Sequence, residues 1–268
     1  MSRSGYYAWR SRQPSARAQR DAELRPLVRE IFWTHHRRYG ARRIAHELRH
    51  RDEVCGVARV ARLLKTQGLQ AIQPKSFKPR TTQSRHALGY NSNLLRDRAA
   101  PVQTNEVWVA DITYIPLAGG SFGYLSIVMD LYSRMIVGWS YEESMTEELV
   151  IRSLKDAITS RQPPPGLIHH SDRGGQYASA SYRAILRRAG SRQSMSDADN
   201  CYDNAFMESC FGTIKTELEL SEFADSRAAM RELAEYVSYY NVSRRHSSLG
   251  YLAPTEFENH HTNQLHPE

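Results

Sequence analysis

The sequence predicts an α/β protein, a mixed sheet flanked by helices and preceded by a small all-α domain. Three observations lead there. Apolar residues recur at helical spacing through the first part of the chain, up to Gln67. At Glu106 the pattern switches to alternation rich in β-branched and aromatic residues. Beyond it, strand-like and helix-like segments alternate through Tyr240. With 268 residues, 40% of them hydrophobic and 24% charged, the chain exceeds one average domain and has ordinary globular usage.

The first helix is expected over 21–37, where Leu24, Leu27, Val28, Ile31 and Phe32 share a face and Tyr39-Gly40 breaks the run. A second, over 42–50, presents Ile44, Ala45 and Leu48 on one side. A third, over 57–67, turns Val57, Val60, Leu63 and Leu64 inward and stops at Gly68, a helix C-terminal glycine. Two short helices around the Cys55-Gly56 turn, with Arg59, Arg62 and Lys65 on the other side, resemble a helix-turn-helix, as does any trihelical packing without a nucleic-acid role. The positions expected to meet DNA phosphates are Arg42, Arg43, Arg59 and Arg62. Residues 73–104 are rich in Pro, Lys, Arg, Ser and Thr without periodicity and read as a basic, extended linker.

The core begins with V-W-V-A-D-I-T-Y-I-P-L from Val107, followed by strands over 124–131 and 135–141 with short connections, an antiparallel meander. A helix over 146–160 has Thr146 as its N-cap and two glutamates in its first turn. L-I-H-H-S-D is a short buried strand, 178–189 a helix closed by Gly190, and 192–195 a last short strand. Helices are expected over 201–220 and 226–240. This order resembles the ribonuclease H-like fold. The division is 1–72 as a basic helical, helix-turn-helix-like region, 73–104 as linker, 105–258 as catalytic core and 259–268 as tail.

Charge divides along the same line. Residues 1–100 carry a net +15 and residues 101–268 a net −8, within a total of +7. A basic first part suits a polyanion, and an acidic second part suits a site that holds cations. The longest apolar stretches, 124–130 and 135–139, are too short to span a bilayer, and M-S-R-S-G-Y-Y-A-W lacks the apolar block of a signal peptide. The expectation is a cytoplasmic protein without a membrane partner, nucleoid-associated when bound to DNA. Three cysteines, Cys55, Cys201 and Cys210, form no C-x-x-C pair and argue against a zinc site.

Phosphoryl transfer on DNA uses two divalent ions about 3.5–4 Å apart, held by carboxylates on rigid elements. Asp111 interrupts an apolar strand, where an unpaired carboxylate is costly unless it faces solvent or a cation. Asp172 closes a second strand and is followed by R-G-G-Q-Y, whose glycines allow close approach. Glu208 lies in D-N-A-F-M-E-S, with 35 residues between it and Asp172. On an ideal helix Asn204, Glu208 and Lys215 fall within about 40° of one another, a polar stripe suited to DNA. Asp130 with Arg134 reads as structural, Asp203 falls about 140° from Glu208, and His169 and His170 read as packing. Ser171 has no G-x-S-x-G elbow around it.

W-V-A-D-I-T-Y, H-S-D-R-G-G-Q-Y and D-N-A-F-M-E-S-C-F-G-T-I-K-T-E resemble the motifs of bacterial insertion-sequence transposases whose catalytic core is related to retroviral integrase. More narrowly, the chain resembles the OrfB product of elements with two overlapping reading frames. Y-G-A-R-R-I, R-V-A-R-L-L-K-T-Q-G-L, N-L-L-R-D-R and Y-N-V-S-R-R-H-S-S-L-G-Y-L-A-P-T-E-F extend the resemblance over nearly the whole chain. It implies a catalytic and metal-binding triad of Asp111, Asp172 and Glu208, with Lys215 on DNA. It further implies two Mg²⁺ ions, replaceable by Mn²⁺, nicking at element ends, and attack of the freed 3′-hydroxyl on target DNA. A homo-oligomer on double-stranded DNA and an upstream OrfA partner, often as a frameshift fusion, belong to the same expectation. The chain departs from the family at Asp199, where Gly is usual and Asp tolerates a left-handed turn, and at Cys210, where Phe is usual and the packing should loosen. Two rival classes are a non-catalytic DNA-binding regulator and a ribonuclease H-like nuclease of another substrate class.

Overall fold

In the computed structural model, which describes residues 2–73, 90–96, 98–197, 205–219 and 222–265, the chain divides into two units, Met1–Gln73 and Pro74–Glu268. In the first, α1 (Arg3–Arg10) is capped by Ser2, whose hydroxyl accepts from the Gly5 amide. Helix α2 (Ala16–Thr34) starts five residues before the expected position because Ser15 caps it, its hydroxyl accepting from the Ala18 amide. Ala16 to Arg20 form helix readily without offering an apolar face, so periodicity passes over them. Thr34 ends α2 early, with His36 and Arg37 at positive φ. Helices α3 (Ala41–His50) and α4 (Val57–Thr66) follow. Gly68, at φ 66°, closes α4 as the Leu69 amide donates to the Leu64 carbonyl at 3.0 Å. Leu24, Val28, Ile31 and Phe32 of α2 are buried with Ile44 and Leu48 of α3 and Val60 and Leu63 of α4.

In the second unit β1 (Val107–Leu117), β2 (Ser121–Asp130) and β3 (Ile136–Glu142) form the expected meander. After α5 (Glu147–Arg161), β4 (Ile168–Ser171) pairs parallel with β1. After α6 (Ala180–Arg188), β5 (Arg192–Met195) pairs parallel with β4. The order across the sheet is β3-β2-β1-β4-β5. Helices α7 (Ala205–Glu217), α8 (Ser226–Val242) and α9 (Pro254–Leu265) complete the unit.

Strand alternation sends side chains to two faces. Val107, Val109 and Ile115 of β1 and Leu125, Ile127 and Met129 of β2 form one core with Met207, Phe211 and Ile214 of α7 and Leu233 and Tyr236 of α8. Trp108, Ala110 and Val128 form the other with Val150 and Leu154 of α5 and Tyr182 and Leu186 of α6. At Gly138 of β3 the sheet approaches α5 closely, and a Cβ there would lie 2.2 Å from the Ser153 carbonyl oxygen.

Two expectations need correction. The linker is not extended throughout: at 90–96 the Leu94 amide donates to the Ser194 hydroxyl at 2.9 Å, Asn93 bonds Asp197, and Leu94 and Leu95 pack on the α7/α8 core. The segment lacks periodicity because it lies along β5 without being a helix or strand. The end of the chain carries α9 through the boundary expected after 258, with Glu258 paired to Arg161 at 2.7 Å.

Candidate active site

Asp111 sits in the middle of β1, opposite Ile127 of β2. On its other side Ala110 pairs with Ser171, the last residue of β4. One step further along both chains come Asp111, still within β1, and Asp172, the first residue past the end of β4. They share the face covered by α7 and α8, since Val107 and Val109 precede Asp111 on that face and Ile168 on β4. Adjacent strands lie about 4.8 Å apart, so the backbone of the two carboxylates is held at neighbouring places in the sheet, and both act on the Tyr177 hydroxyl.

Local bonds orient each one. An Asp111 carboxylate oxygen accepts from the Ile112 amide at 2.8 Å. An Asp172 oxygen accepts from the Gly174 amide at 2.9 Å, an Asx-type turn that ends β4. A Cβ at Gly174 would stand 3.0 Å from that oxygen, which explains glycine in R-G-G-Q-Y. Tyr177, fully buried in the α5/α6 core, has its hydroxyl held well above the ordinary phenol range by burial first, then by Asp111, Tyr182 and Asp172. Tyr177 therefore senses both carboxylates. Sequence reasoning missed it, although Q-Y follows the second aspartate directly.

Glu208 is exposed in the first turn of α7. The buried face of that helix is Met207, Cys210, Phe211, Ile214 and Glu217. Glu208, Gly212 and Lys215 run beside it at i, i+4 and i+7, and a Cβ on Gly212 would meet nothing within 4 Å. Lys215 is half-buried. Burial lowers its ammonium and the negative charge of Asp111 opposes that, which places Lys215 within electrostatic reach of Asp111. Asn204, the expected start of this stripe, lies outside the described residues, as do Asp199, Cys201 and Asp203. Among the described residues no group of three or more His, Cys, Asp or Glu side chains is gathered closely enough to hold a metal. Asp111 and Asp172 stand at adjoining places in the sheet, and Glu208 stands on α7.

The pair itself fits a hard divalent cation. Two like charges side by side repel unless a cation lies between them, and carboxylate oxygens are the donors Mg²⁺ prefers.

The neighbouring polar groups are structural. His170 bonds the Ser194 hydroxyl at 2.8 Å and the Ser196 hydroxyl at 3.2 Å. His169 meets the Tyr182 hydroxyl at 3.0 Å, and its pKa is pushed to about 3, by burial and then by His170. Asp130, fully buried, accepts from the amides of Asn105, Tyr132 and Ser133. Cys210 lies in the α7/α8 core rather than at the site, where burial raises its thiol to about 12.

In the first unit the arginines divide. Arg62 donates to both oxygens of buried Asp21, at 2.9 and 2.8 Å, and Arg59 lies 3.7 Å from the same carboxylate. Both keep more than a third of their side chains exposed while pairing with Asp21, because that buried carboxylate on α2 needs a cation and α4 supplies it. Arg43 donates to the Arg38 carbonyl at 3.3 Å and lies over Tyr39. Arg42 and Lys65 are exposed.

Comparison with known proteins adds three findings. Family models described as integrase core domain match residues 101–201 and 189–254, and one described as an HTH-like domain matches 19–77. The chain is 42% identical over 259 residues to the insertion element IS600 31 kDa protein of Shigella sonnei, covering 96% of this chain and 94% of that one. It is 40% identical over 263 residues to the transposase InsF for insertion sequence IS3A of Escherichia coli, covering 97% and 91%. In fold it is similar to a chain of the simian T-cell lymphotropic virus intasome, with TM-score 0.51 and 15% identity over 87% of this chain and 74% of that one. No helix among the described residues is long and apolar enough to cross a membrane.

Proposed function

The chain belongs to the insertion-sequence transposases with an integrase core, and from that premise we propose that Asp111, Asp172 and Glu208 are its catalytic carboxylates. Its activity is DNA transposition and integration, a polynucleotidyl transfer. The finer reaction proposed is nicking at the element ends and transfer of the freed 3′-hydroxyl into DNA. The observation that supports this reading is the pairing of Ala110 with Ser171, which sets Asp111 in β1 beside the end of β4 where Asp172 follows.

Mg²⁺, or Mn²⁺ in its place, supplies Lewis-acid stabilisation of the reacting phosphate, with two ions per site. Asp111 and Asp172 would hold it from neighbouring strands and Glu208 from α7. The protein's own part is to fix these oxygens on rigid elements, so that attack and departure stay in line. Lys215 holds a DNA phosphate beside Asp111, a use suited to a flexible point charge. Asn204 extends that contact. Arg42, with Arg43, Arg59 and Arg62 where their guanidinium groups stay accessible, meets phosphates from region 1–72. Region 105–258 carries the chemistry, in the cytoplasm. A homo-oligomer on double-stranded DNA and an OrfA partner belong to the same proposal.

Asp111→Asn, Asp172→Asn and Glu208→Gln are each expected to abolish nicking and strand transfer in Mg²⁺ while end-DNA binding persists. A variant that transfers strands at near wild-type rate removes its residue from the triad.

A further inference from the structure

Helix α7 is held at both ends by arginines from other elements. At its last turn Glu217, 7% exposed, accepts from Arg244 Nε at 3.0 and 2.9 Å and from Nη2 at 2.8 Å. Tyr236 of α8 donates its hydroxyl to the same carboxylate at 2.9 Å. Arg244, 5% exposed just after α8, is backed by the His246 ring nitrogens at 3.3–3.4 Å and the Tyr240 ring at 5.5 Å. At the first turn the Arg134 guanidinium lies 4.2 Å from the centre of the Phe206 ring, two residues before Glu208.

A buried ion pair is weak support for stability, since desolvation offsets much of its attraction. What it fixes is direction, through several charge-assisted bonds in one geometry. The rest of the α7 contact is Met207, Cys210, Phe211 and Ile214, and apolar packing alone is non-directional. Glu208 lies nine residues from Glu217, a lever of about 13–14 Å at 1.5 Å per residue. A tilt of about 5° about the Glu217 end therefore moves Glu208 by more than about 1 Å, enough to cost on the order of a hundredfold in rate.

We propose that Arg244, acting through Glu217, is a positioning residue that sets where α7 presents Glu208 to Asp111 and Asp172. The inference rests on the reading of Glu208 as the third carboxylate.

The test uses the full chain and the variants Arg244→Lys and Glu217→Gln. Four quantities are read: thermal unfolding, end-DNA affinity, Mn²⁺ binding by electron paramagnetic resonance without DNA, and the Mg²⁺ concentration for half-maximal nicking. Lysine keeps the charge and loses the planar fork. Folded Arg244→Lys should keep its DNA affinity, while Mn²⁺ affinity falls and half-saturating Mg²⁺ rises by about tenfold, the scale of a lost outer-shell support. A purely structural role would lower the unfolding temperature and leave both metal readings unchanged well below it; that result overturns the proposal. Should neither variant fold, Tyr236→Phe removes one donor from Glu217, and an unchanged Mn²⁺ affinity there overturns it equally. Glu208→Gln is measured alongside. If it binds Mn²⁺ and nicks normally, the catalytic reading itself has failed; if only the Arg244 arm is silent, the positioning inference alone has failed.

Discussion

Glu208→Asp separates a placed ligand from a mere negative charge. The substitution keeps the carboxylate and withdraws it by one methylene, about 1.5 Å. Glu208 is exposed in the first turn of α7, so no core contact is lost and stability should change by no more than about 0.5 kcal/mol. Aspartate is also favourable at a helix N-terminus. If Glu208 completes the site with Asp111 and Asp172, a shift of this size costs on the order of a hundredfold or more in rate. The assay is single-turnover nicking of an end duplex in Mg²⁺, with thermal unfolding and end-DNA affinity measured on the same preparation. The expected result is a deep loss of rate with the other two unchanged. A rate within about threefold of wild type, or about 0.7 kcal/mol in barrier, would refute the reasoning, because a ligand cannot move that far unnoticed.

Three further outcomes are expected. Lys215→Ala should weaken end-DNA binding and strand transfer in titrations at physiological salt without lowering the unfolding temperature, since the half-buried ammonium pays desolvation in the fold; unchanged transfer would assign Lys215 to the surface. Residues 1–73, a separate unit with its own core, should bind duplex DNA with affinity that falls steeply with salt; there Arg42→Ala should lower affinity alone, whereas Arg62→Ala should also lower the unfolding temperature by stranding Asp21. His169 carries its pH dependence with a definite sign. Its folded pKa of about 3 lies below the ordinary 6.5, so its share of stability is complete above about pH 6.5 and is lost as pH falls toward about 3, by up to about 1.4 kcal/mol per pH unit. His169→Gln should flatten urea-measured stability across that window, and an unchanged slope would contradict the assignment.

The sequence revealed most where burial imposes a period. Strand β1 and the short strand β4 carry alternation or a compact apolar run, and α4 closes at Gly68, a glycine whose role does not depend on tertiary context. It revealed least where structure depends on capping or on surfaces supplied elsewhere. Helix α1 spans eight residues whose aromatic side chains Tyr6, Tyr7 and Trp9 stay exposed, and α9 has no strong apolar face, though Pro254 was an available start signal. Residues 90–96 pack through isolated leucines and asparagine side chains, which leave no period to read. For the site, Asp111 and Asp172 were legible because a carboxylate within or closing an apolar strand conflicts with its surroundings. The partner of the N-terminal arginines Arg59 and Arg62 was not legible, for the opposite reason. A basic helix looks alike whether its cations face solvent or a buried Asp21, and only the fold tells them apart.

Strand parity then constrains what can complete the site. Asp111 follows Val107 and Val109 onto the α7/α8 face, while Asp130, paired in register with Trp108, belongs to the α5/α6 side. Asp130 is an acid in the same sheet, yet the sheet itself stands between it and Asp111, and three backbone amides already occupy it. A further carboxylate reaching the Asp111–Asp172 pair must come from the layer above that face. Among the described residues of α7, Glu217 is bound to Arg244 and Tyr236 at the far end. Glu208 shares its stripe with Lys215, and Lys215 senses Asp111. On the proposed reading of Glu208, moving that stripe toward the strands would bring it to the pair without a change in the sheet.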